Sequence, residues 1–492
     1  MSSLRDRTVS GLSWNGAGQA VRQAFQLIVS IVLARLLTPE DFGLMGMIVV
    51  FTGFANLFCD LGLGSALIQK PDLKQAHLSS AFWLNVSAGI VLTAVVAGLS
   101  PLIAFFYGKP ILRGLTIAIS LNFAVGSFKV VHNAVLQKNM SFRRLAQIEI
   151  VAVCFAGGVA VCGALMGLGV WSLVVQSLAV TVASVGMTWW VSPWRPGMSF
   201  NLRAIRELLG FSSNLLGSNI VNYWLRNLDN VLIGKFIGSA PLGIYCRAYS
   251  LMLLPVSQTS RVVSRVMFPA LSSIRHDVVR VKRVYLRSVR SIALVTFPMM
   301  MGLIVVAEPF VLFIYGEKWR DVVPVLKIFC LTGMGQSVGM TLGWIFTSQG
   351  RTDLMFKWVI LAGLVTGSAF VIGLRWGIMG VAVAYMLSGY IILWYPSWTI
   401  PGRLINLGFG EMLKNLSGLF CCAFVMGGSV WALGLVLPLG WPPWAYLSVQ
   451  CPFGLLVYIG LLQFFGIKAY MELCEFVKEE WKRRRWIMAG QG

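Results

Sequence analysis

Long apolar stretches alternate with short polar segments along most of the chain. About 20 apolar residues in a helix are enough to cross a bilayer, so the pattern predicts fourteen membrane-spanning helices. The predicted spans are 12–36, 42–68, 80–107, 111–137, 146–167, 169–191, 207–237, 241–268, 291–314, 322–348, 355–374, 378–400, 413–437 and 443–466. The expected fold class is therefore an all-α polytopic membrane protein.

A repeat with an offset of 200 residues relates two parts of the chain. The segment 34–45 (ARLLTPEDFGLM) aligns without a gap with 234–245 (GKFIGSAPLGIY), which pairs Gly43 with Gly243. Six helices in each copy give both copies the same orientation, so a pseudo-twofold axis is expected along the membrane normal. The expected organisation is an N-terminal six-helix lobe at 12–191, a cytoplasmic linker at 192–206, a C-terminal six-helix lobe at 207–400, two further helices at 413–466 and a cytoplasmic tail at 467–492.

Polar stripes interrupt the apolar pattern at equivalent places in the two copies. The residues in each stripe recur at helical spacing and therefore share one helix face. They are Asn15, Gln19, Arg22 and Gln26 in span 1 and Asn219, Asn222, Arg226 and Asn230 in span 7. We expect the two stripes to face a central cavity, because polar groups are costly in contact with lipid. Bonding between neighbouring helices is an equal alternative for the Asn and Gln members, whereas burial is too costly for Arg in that role.

Further cations lie inside other predicted spans. Arg261 and Arg265 lie near the end of span 8, where Arg265 in particular has the alternative of extending its side chain to the interface. Lys129 in span 4 shares a helix face with Asn122, Asn133 and Gln137. A guanidinium binds phosphate oxygens through parallel hydrogen bonds. A cavity lined mainly by Arg therefore suits a phosphate or pyrophosphate head group.

The candidates for ion coupling are three carboxylates inside predicted spans, Asp60, Glu149 and Asp229. Intramembrane carboxylates often couple transport to an ion or a proton. The alternative is that each one pairs with a nearby cation, as Asp229 would with Arg226 three residues earlier.

The composition agrees with a membrane protein and excludes other classes. The chain is 57% hydrophobic and 12% charged, with a net charge of +22. The basic residues concentrate in alternate loops and at both termini, which predicts cytoplasmic termini rather than nucleic-acid binding. The nine Cys form no Cys-x-x-Cys pair and the three His are scattered, so we expect no metal site and no cofactor. The chain also lacks a Walker A loop and catalytic Ser or zinc motifs, and it is not expected to be an enzyme.

Two short segments near the N-terminus are distinctive: the turn formed by Leu37, Pro39, Asp41, Phe42 and Gly43, and the run Asp60–Gly64. Through these residues the N-terminal region resembles the start of Wzx-type polysaccharide flippases. Those flippases belong to the multidrug/oligosaccharidyl-lipid/polysaccharide exporter superfamily. The similarity extends over about the first 400 residues and is greatest to the branch named for colanic-acid-like exopolysaccharide export.

The resemblance implies that the protein moves undecaprenyl-pyrophosphate-linked oligosaccharides to the outer leaflet of a bacterial inner membrane. It also implies two lobes around a cationic cavity, alternating access, and lipid-linked oligosaccharide, membrane lipids and a polysaccharide polymerase or export complex as partners. A drug or peptidoglycan-precursor exporter of the same superfamily is an alternative, although basic stripes disfavour cationic drugs. A membrane-embedded polysaccharide-assembly enzyme or a scaffold is the alternative from another class.

Overall fold

The computed structural model describes residues 4–59, 64, 67–68, 74–201, 213–438, 440–467, 470–472, 475 and 479. Side chains are described for these residues except 4–17, 213–219, 261–262, 265–266 and 268. The described part is 87% helical and has no strands. The predicted all-α fold class is therefore confirmed.

The helices follow in chain order. They are α1 (Leu4–Leu36), α2 (Pro39–Asn56), α3 (Gln75–Tyr107), α4 (Ile111–Lys138), α5 (Phe142–Leu165), α6 (Trp171–Val191), α7 (Ser213–Phe236), α8 (Ser239–Ser273), α9 (Val278–Val305), α10 (Ala307–Ile314), α11 (Val322–Gly339), α12 (Leu342–Ser348), α13 (Thr352–Gly373), α14 (Gly377–Leu387), α15 (Trp394–Gly402), α16 (Phe409–Val436) and α17 (Pro443–Phe464). A π-helix, Ser388–Leu393, separates α14 from α15.

Each predicted span contains a described helix, but four spans are interrupted among the described residues. In the span 42–68, α2 ends at Asn56 and residues 57–59 form a turn. The span 291–314 breaks at Val306, between α9 and α10. The span 322–348 breaks between α11 and α12, and the span 378–400 contains the π-helix. By length and composition, nine helical segments of the described residues could cross a membrane. The helices α1, α2, α7 and α8 are not among them; they are the first two helices of each predicted lobe.

The chain divides into two compact units, residues 1–243 and 244–492, which we call the first and the second unit. In the first unit, α1 packs against α5, α4 packs against α3 and α6, and α2 packs against α4 and α7. Small residues allow α1 to approach α5 closely. A Cβ on Gly18 would lie 2.6 Å from Cβ of Ala146, and one on Gly157 would lie 2.5 Å from Cγ2 of Val29. The lobe boundaries expected from the repeat stay a prediction.

The turn that carries the family resemblance is the N-terminal cap of α2. Thr38 is the capping residue, Pro39 occupies the first helical turn, and the Asp41 side chain accepts from the Thr38 backbone N–H at 2.9 Å. Such a reciprocal cap satisfies donors that a helix start otherwise leaves unpaired. Glu40, the residue after Pro39, accepts from Lys109 Nζ and from Ser239 Oγ, each at 2.9 Å.

In the second unit, α9 packs against α11 and α16, and α16 packs against α17. Arg290 Nε of α9 donates to Asn415 Oδ1 of α16 at 2.9 Å. The Tyr458 hydroxyl of α17 donates to the Leu294 carbonyl of α9 at 3.1 Å. The two helices that follow the predicted C-terminal lobe are therefore fixed to α9 by polar contacts as well as by packing.

The π-helix supplies a side chain that bonds to the backbone of α11. The Tyr390 hydroxyl donates to the Leu331 carbonyl at 2.6 Å and accepts from the Gly335 N–H at 3.1 Å. These two backbone groups are hydrogen-bond partners in a regular α-helix. Side chains that insert at such a place bend or loosen helices, so α11 has a defined weak point beside the π-helix.

Candidate functional site

Two cavities that share lining residues lie within the first unit. The larger has a volume of about 640 Å³ and the smaller about 280 Å³. Lys129, Asn133 and Gln137 line both of them. These residues belong to the polar face of α4 that the sequence indicated, and they mark the junction between the two cavities.

Lys129 is a cation at this junction. Its Nζ donates to Ser184 Oγ of α6 at 2.8 Å. Among the described residues it forms no ion pair within 4.0 Å. An ammonium group has three donors, so Lys129 keeps donors available for a ligand. The side chains of Asn133 and Gln137 likewise make no hydrogen bond to a described residue.

Arg22 and Glu149 form an ion pair beside the smaller cavity. The distance from Arg22 Nη1 to Glu149 Oε2 is 3.0 Å, and Glu149 lines the cavity together with Gln19. The close packing of α1 on α5 brings the two side chains together. Arg22 Nε is buried and has no hydrogen-bond partner among the described residues. One edge of the guanidinium is therefore unsatisfied.

The larger cavity has a neutral polar wall. Thr52 and Asn56 of α2 contribute to it, and Lys129 is the charged residue among its described lining residues. Asn122 is held by α6, since its Nδ2 donates to Ser177 Oγ at 3.1 Å and its Oδ1 accepts from Thr181 Oγ1 at 2.5 Å. The cavity therefore offers hydroxyl and amide groups next to a single positive charge.

The structure brings together part of the predicted site. Gln19, Lys129 and Glu149 line the smaller cavity, and Arg22 contacts Glu149. Other candidates with described side chains line neither cavity: Gln26, Asn222, Arg226 and Asp229. Asp60 and the side chains of Asn219, Arg261 and Arg265 lie outside the described residues.

The sequence left open whether Glu149 and Asp229 pair with nearby cations, and the structure differs for the two residues. Glu149 pairs with a cation, Arg22. Arg226 forms no ion pair with Asp229, whose Oδ1 accepts from the Asn230 N–H at 2.8 Å. An ion-coupling role for Glu149, Asp60 or Asp229 stays a prediction.

Helix α6 contributes to the site although the polar stripes predicted from the sequence did not include it. Ser177, Thr181, Ser184 and Thr188 recur at helical spacing and contribute to the walls of the two cavities. The spacing places all four on one helix face, so the signal was present. Small hydroxyl residues are common in helix packing within membranes, which hides such a face among ordinary packing residues.

Comparison with known proteins reveals one matching family and several relatives. Residues 32–324 match the family described as Polysaccharide biosynthesis protein. Lipopolysaccharide biosynthesis protein WzxC of Escherichia coli (strain K12) is 28% identical over 444 residues, covering 84% of this chain and 89% of the relative. Teichuronic acid biosynthesis protein TuaB of Bacillus subtilis (strain 168) is 28% identical over 434 residues, covering 87% and 89%. Succinoglycan biosynthesis transport protein ExoT of Rhizobium meliloti (strain 1021) is 25% identical over 372 residues, covering 75% of each chain.

Solved structures share the fold at low sequence identity. The inward closed conformation of the lipid II flippase MurJ has a TM-score of 0.75 at 16% identity and covers 94% of this chain and 99% of its own. An inward-facing multidrug resistance transporter of the MATE family has a TM-score of 0.59 at 16% identity and covers 81% and 95%. The chain therefore has a transporter fold of the MurJ and MATE type.

Proposed function

Because the chain belongs to the family of polysaccharide biosynthesis proteins, we propose that it flips undecaprenyl-pyrophosphate-linked oligosaccharides across the bacterial inner membrane for exopolysaccharide export. The observation that carries the proposal is Lys129, a cation that forms no ion pair within 4.0 Å with a described residue, at the junction of two polar cavities. An intramembrane cation is costly, and an anionic cargo gives a reason to keep it.

The two cavities suit the two chemical parts of such a head group. Lys129 and the unsatisfied edge of Arg22 would bind the pyrophosphate at the smaller cavity. Amide and hydroxyl groups of the larger cavity would bind the first sugars. A volume of about 640 Å³ lies within the range of roughly 300–1,000 Å³ that small-molecule sites have. The polyprenyl tail would stay in the lipid.

The proposed movement is alternating access through a cationic central cavity, with both termini in the cytoplasm as the loop charges predict. Arg226, Arg261 and Arg265 belong to this proposal as additional cations for the cargo, with Gln26, Asn219 and Asn222 as polar contacts. A polymerase or export complex would receive the translocated units on the outer side.

A peptidoglycan precursor is a second candidate cargo, because the chain shares its fold with the lipid II flippase MurJ at a TM-score of 0.75. Both cargoes contain a polyprenyl pyrophosphate, so the cation site suits either. The names of the relatives from lipopolysaccharide, teichuronic acid and succinoglycan biosynthesis favour the exopolysaccharide precursor. A drug exporter is less favoured because cationic drugs need acidic cavities.

The test is a leaflet assay in cells that lack the gene. We expect undecaprenyl-linked repeat units to accumulate on the cytoplasmic face and wild-type protein to relieve the accumulation. Lys129→Gln should fail to relieve it at normal protein levels, whereas Lys318→Gln, at an exposed lysine of the second unit, should succeed. Absence of lipid-linked intermediates would instead place the protein upstream, as an assembly enzyme. Normal export by Lys129→Gln would argue against the cation site.

A further inference from the structure

The pairing of Arg22 with Glu149 is incomplete in a way that suits an exchangeable partner. A single contact of 3.0 Å joins Nη1 to Oε2, whereas guanidinium and carboxylate groups often pair through two parallel bonds. The opposite edge of the guanidinium includes the buried Nε that lacks a partner among the described residues. The Glu149 side chain is 54% exposed and lines the smaller cavity, so it has space to leave Arg22.

The charges around the smaller cavity balance a pyrophosphate only when Glu149 leaves. Arg22 and Lys129 carry two positive charges, and Glu149 cancels one of them. Among the described lining residues of both cavities, Lys129 and Glu149 are the charged ones. A diphosphate esterified at both ends carries two negative charges. It would match the two cations once the carboxylate has moved aside.

From this geometry we propose that Glu149 is an internal competitor of the substrate, which occupies Arg22 in the empty site and is displaced by the phosphate of the cargo. This inference rests on the proposed function, since it assumes an anionic cargo at the same site. After release of the cargo, Glu149 pairs again with Arg22. The empty carrier then does not hold Arg22 as a second unpaired cation beside Lys129, which would be costly.

The substitution Glu149→Gln distinguishes a competitor role of Glu149 from a positioning role, because the two roles predict different changes in anion binding. If Glu149 competes, Glu149→Gln strengthens anion binding, because the carboxamide does not hold the guanidinium as an ion pair. If Glu149 only orients Arg22, the same substitution weakens anion binding or leaves it unchanged. A competitor role also predicts slower export by Glu149→Gln despite tighter binding, because Arg22 would be left unpaired in the empty carrier.

The experiment measures binding of radiolabelled inorganic pyrophosphate to the purified full-length protein in lipid nanodiscs. We expect Glu149→Gln to bind about two- to fivefold more tightly than wild type, the range that a partly exposed ion pair gives. Glu149→Asp, whose shorter carboxylate reaches Arg22 less well, should shift binding in the same direction and serves if the Gln variant fails to fold. Unchanged or weaker binding by a folded Glu149 variant would overturn the proposal.

Matched controls separate this inference from the proposed function. Glu317→Gln also breaks an ion pair with an arginine, Arg320, but in the second unit, and should leave pyrophosphate binding unchanged. Arg22→Gln and Lys129→Gln should each weaken binding. If both of these variants bound pyrophosphate as wild type does, the cation site itself would be refuted. If they lost binding but Glu149→Gln did not bind more tightly, only the competitor role of Glu149 would be refuted.

Discussion

Gly43 of α2 lies against Ser239 at the start of α8, and Gly243 of α8 lies against Pro39 at the start of α2. The sequence repeat pairs the two glycines at an offset of 200 residues. A Cβ on Gly43 would lie 1.7 Å from the Ser239 carbonyl oxygen, and one on Gly243 would lie 1.9 Å from the Pro39 carbonyl oxygen. Since Pro39 and Ser239 are also paired by the repeat, the N-terminal turns of α2 and α8 pack against each other through equivalent residues.

We expect Gly43→Ala to destabilise the protein, because the added methyl group meets backbone atoms that cannot rotate away. Overpacking of this kind costs about 1–3 kcal/mol. Thermal unfolding in detergent should show a lower midpoint than wild type. Gly98→Ala is the matched control in α3, where a Cβ meets nothing within 4 Å, and it should be neutral or slightly stabilising. Equal midpoints for the two variants would contradict the close contact.

Glu40 should make stability depend on pH. Its hydrogen bonds to Lys109 and Ser239 lower the pKa of Glu40 below its ordinary value of 4.5. A carboxyl whose pKa is lower in the folded state stabilises the fold above its unfolded pKa and loses that contribution as the pH falls through the folded pKa. The melting temperature of wild type should therefore exceed that of Glu40→Gln at neutral pH, and the difference should shrink below about pH 4.5. Lys109→Gln should follow Glu40→Gln, and a constant difference down to pH 3 would refute this role.

Lys129 should contribute charge rather than shape to ligand binding. Lys129→Gln keeps a polar side chain of similar reach but loses a charged donor, and hydrogen bonds to charged groups are worth about 1.5–3 kcal/mol. Pyrophosphate binding should weaken by about 10- to 100-fold. Lys129→Arg should retain most of the affinity, because it keeps the charge. Equal losses in both variants would point instead to a structural role for the contact with Ser184.

Tyr390→Phe should loosen α11, because it removes the hydroxyl that bonds to the Leu331 carbonyl and the Gly335 N–H. Each hydrogen bond that is lost reduces the stability of the fold by about 0.5–1.5 kcal/mol. Hydrogen–deuterium exchange should become faster at residues 331–339. Tyr395→Phe is the control, since its exposed hydroxyl bonds to no described residue. Unchanged exchange in Tyr390→Phe would mean that α11 closes its own hydrogen bond when the hydroxyl is absent.

The helices could be predicted from the sequence because a spanning helix consists of consecutive apolar residues. The length of the apolar stretch locates α3 or α16 without knowledge of the helices that pack against them. The interruption at Val306 also has a local signal, which the span prediction did not use. Pro309 follows three residues later, and a proline can neither donate to the carbonyl four residues earlier, here that of Val305, nor fit beside it without bending the helix.

The candidate site was predictable only in part, because its contacts join residues that are far apart in the sequence. Arg22 and Lys129 stand out within their own helices as charges among apolar residues. Glu149 is 127 positions away from Arg22, and no local pattern indicates which cation a carboxylate will contact. Ser184 was not predicted because serine is common at helix–helix contacts, and its role is evident only from its contact with Lys129.

The π-helix at Ser388–Leu393 has a consequence for the direction in which the following side chains point. Each residue of an α-helix turns the chain by about 100°, and a π segment accommodates extra residues without ending the helix. Trp398 is 2% exposed in the helix that starts directly after this segment. The direction of the Trp398 side chain therefore depends on the number of residues per turn in the π-helix. If Ser388–Leu393 adopted α-helical geometry, α15 would rotate about its axis and Trp398 would point in another direction.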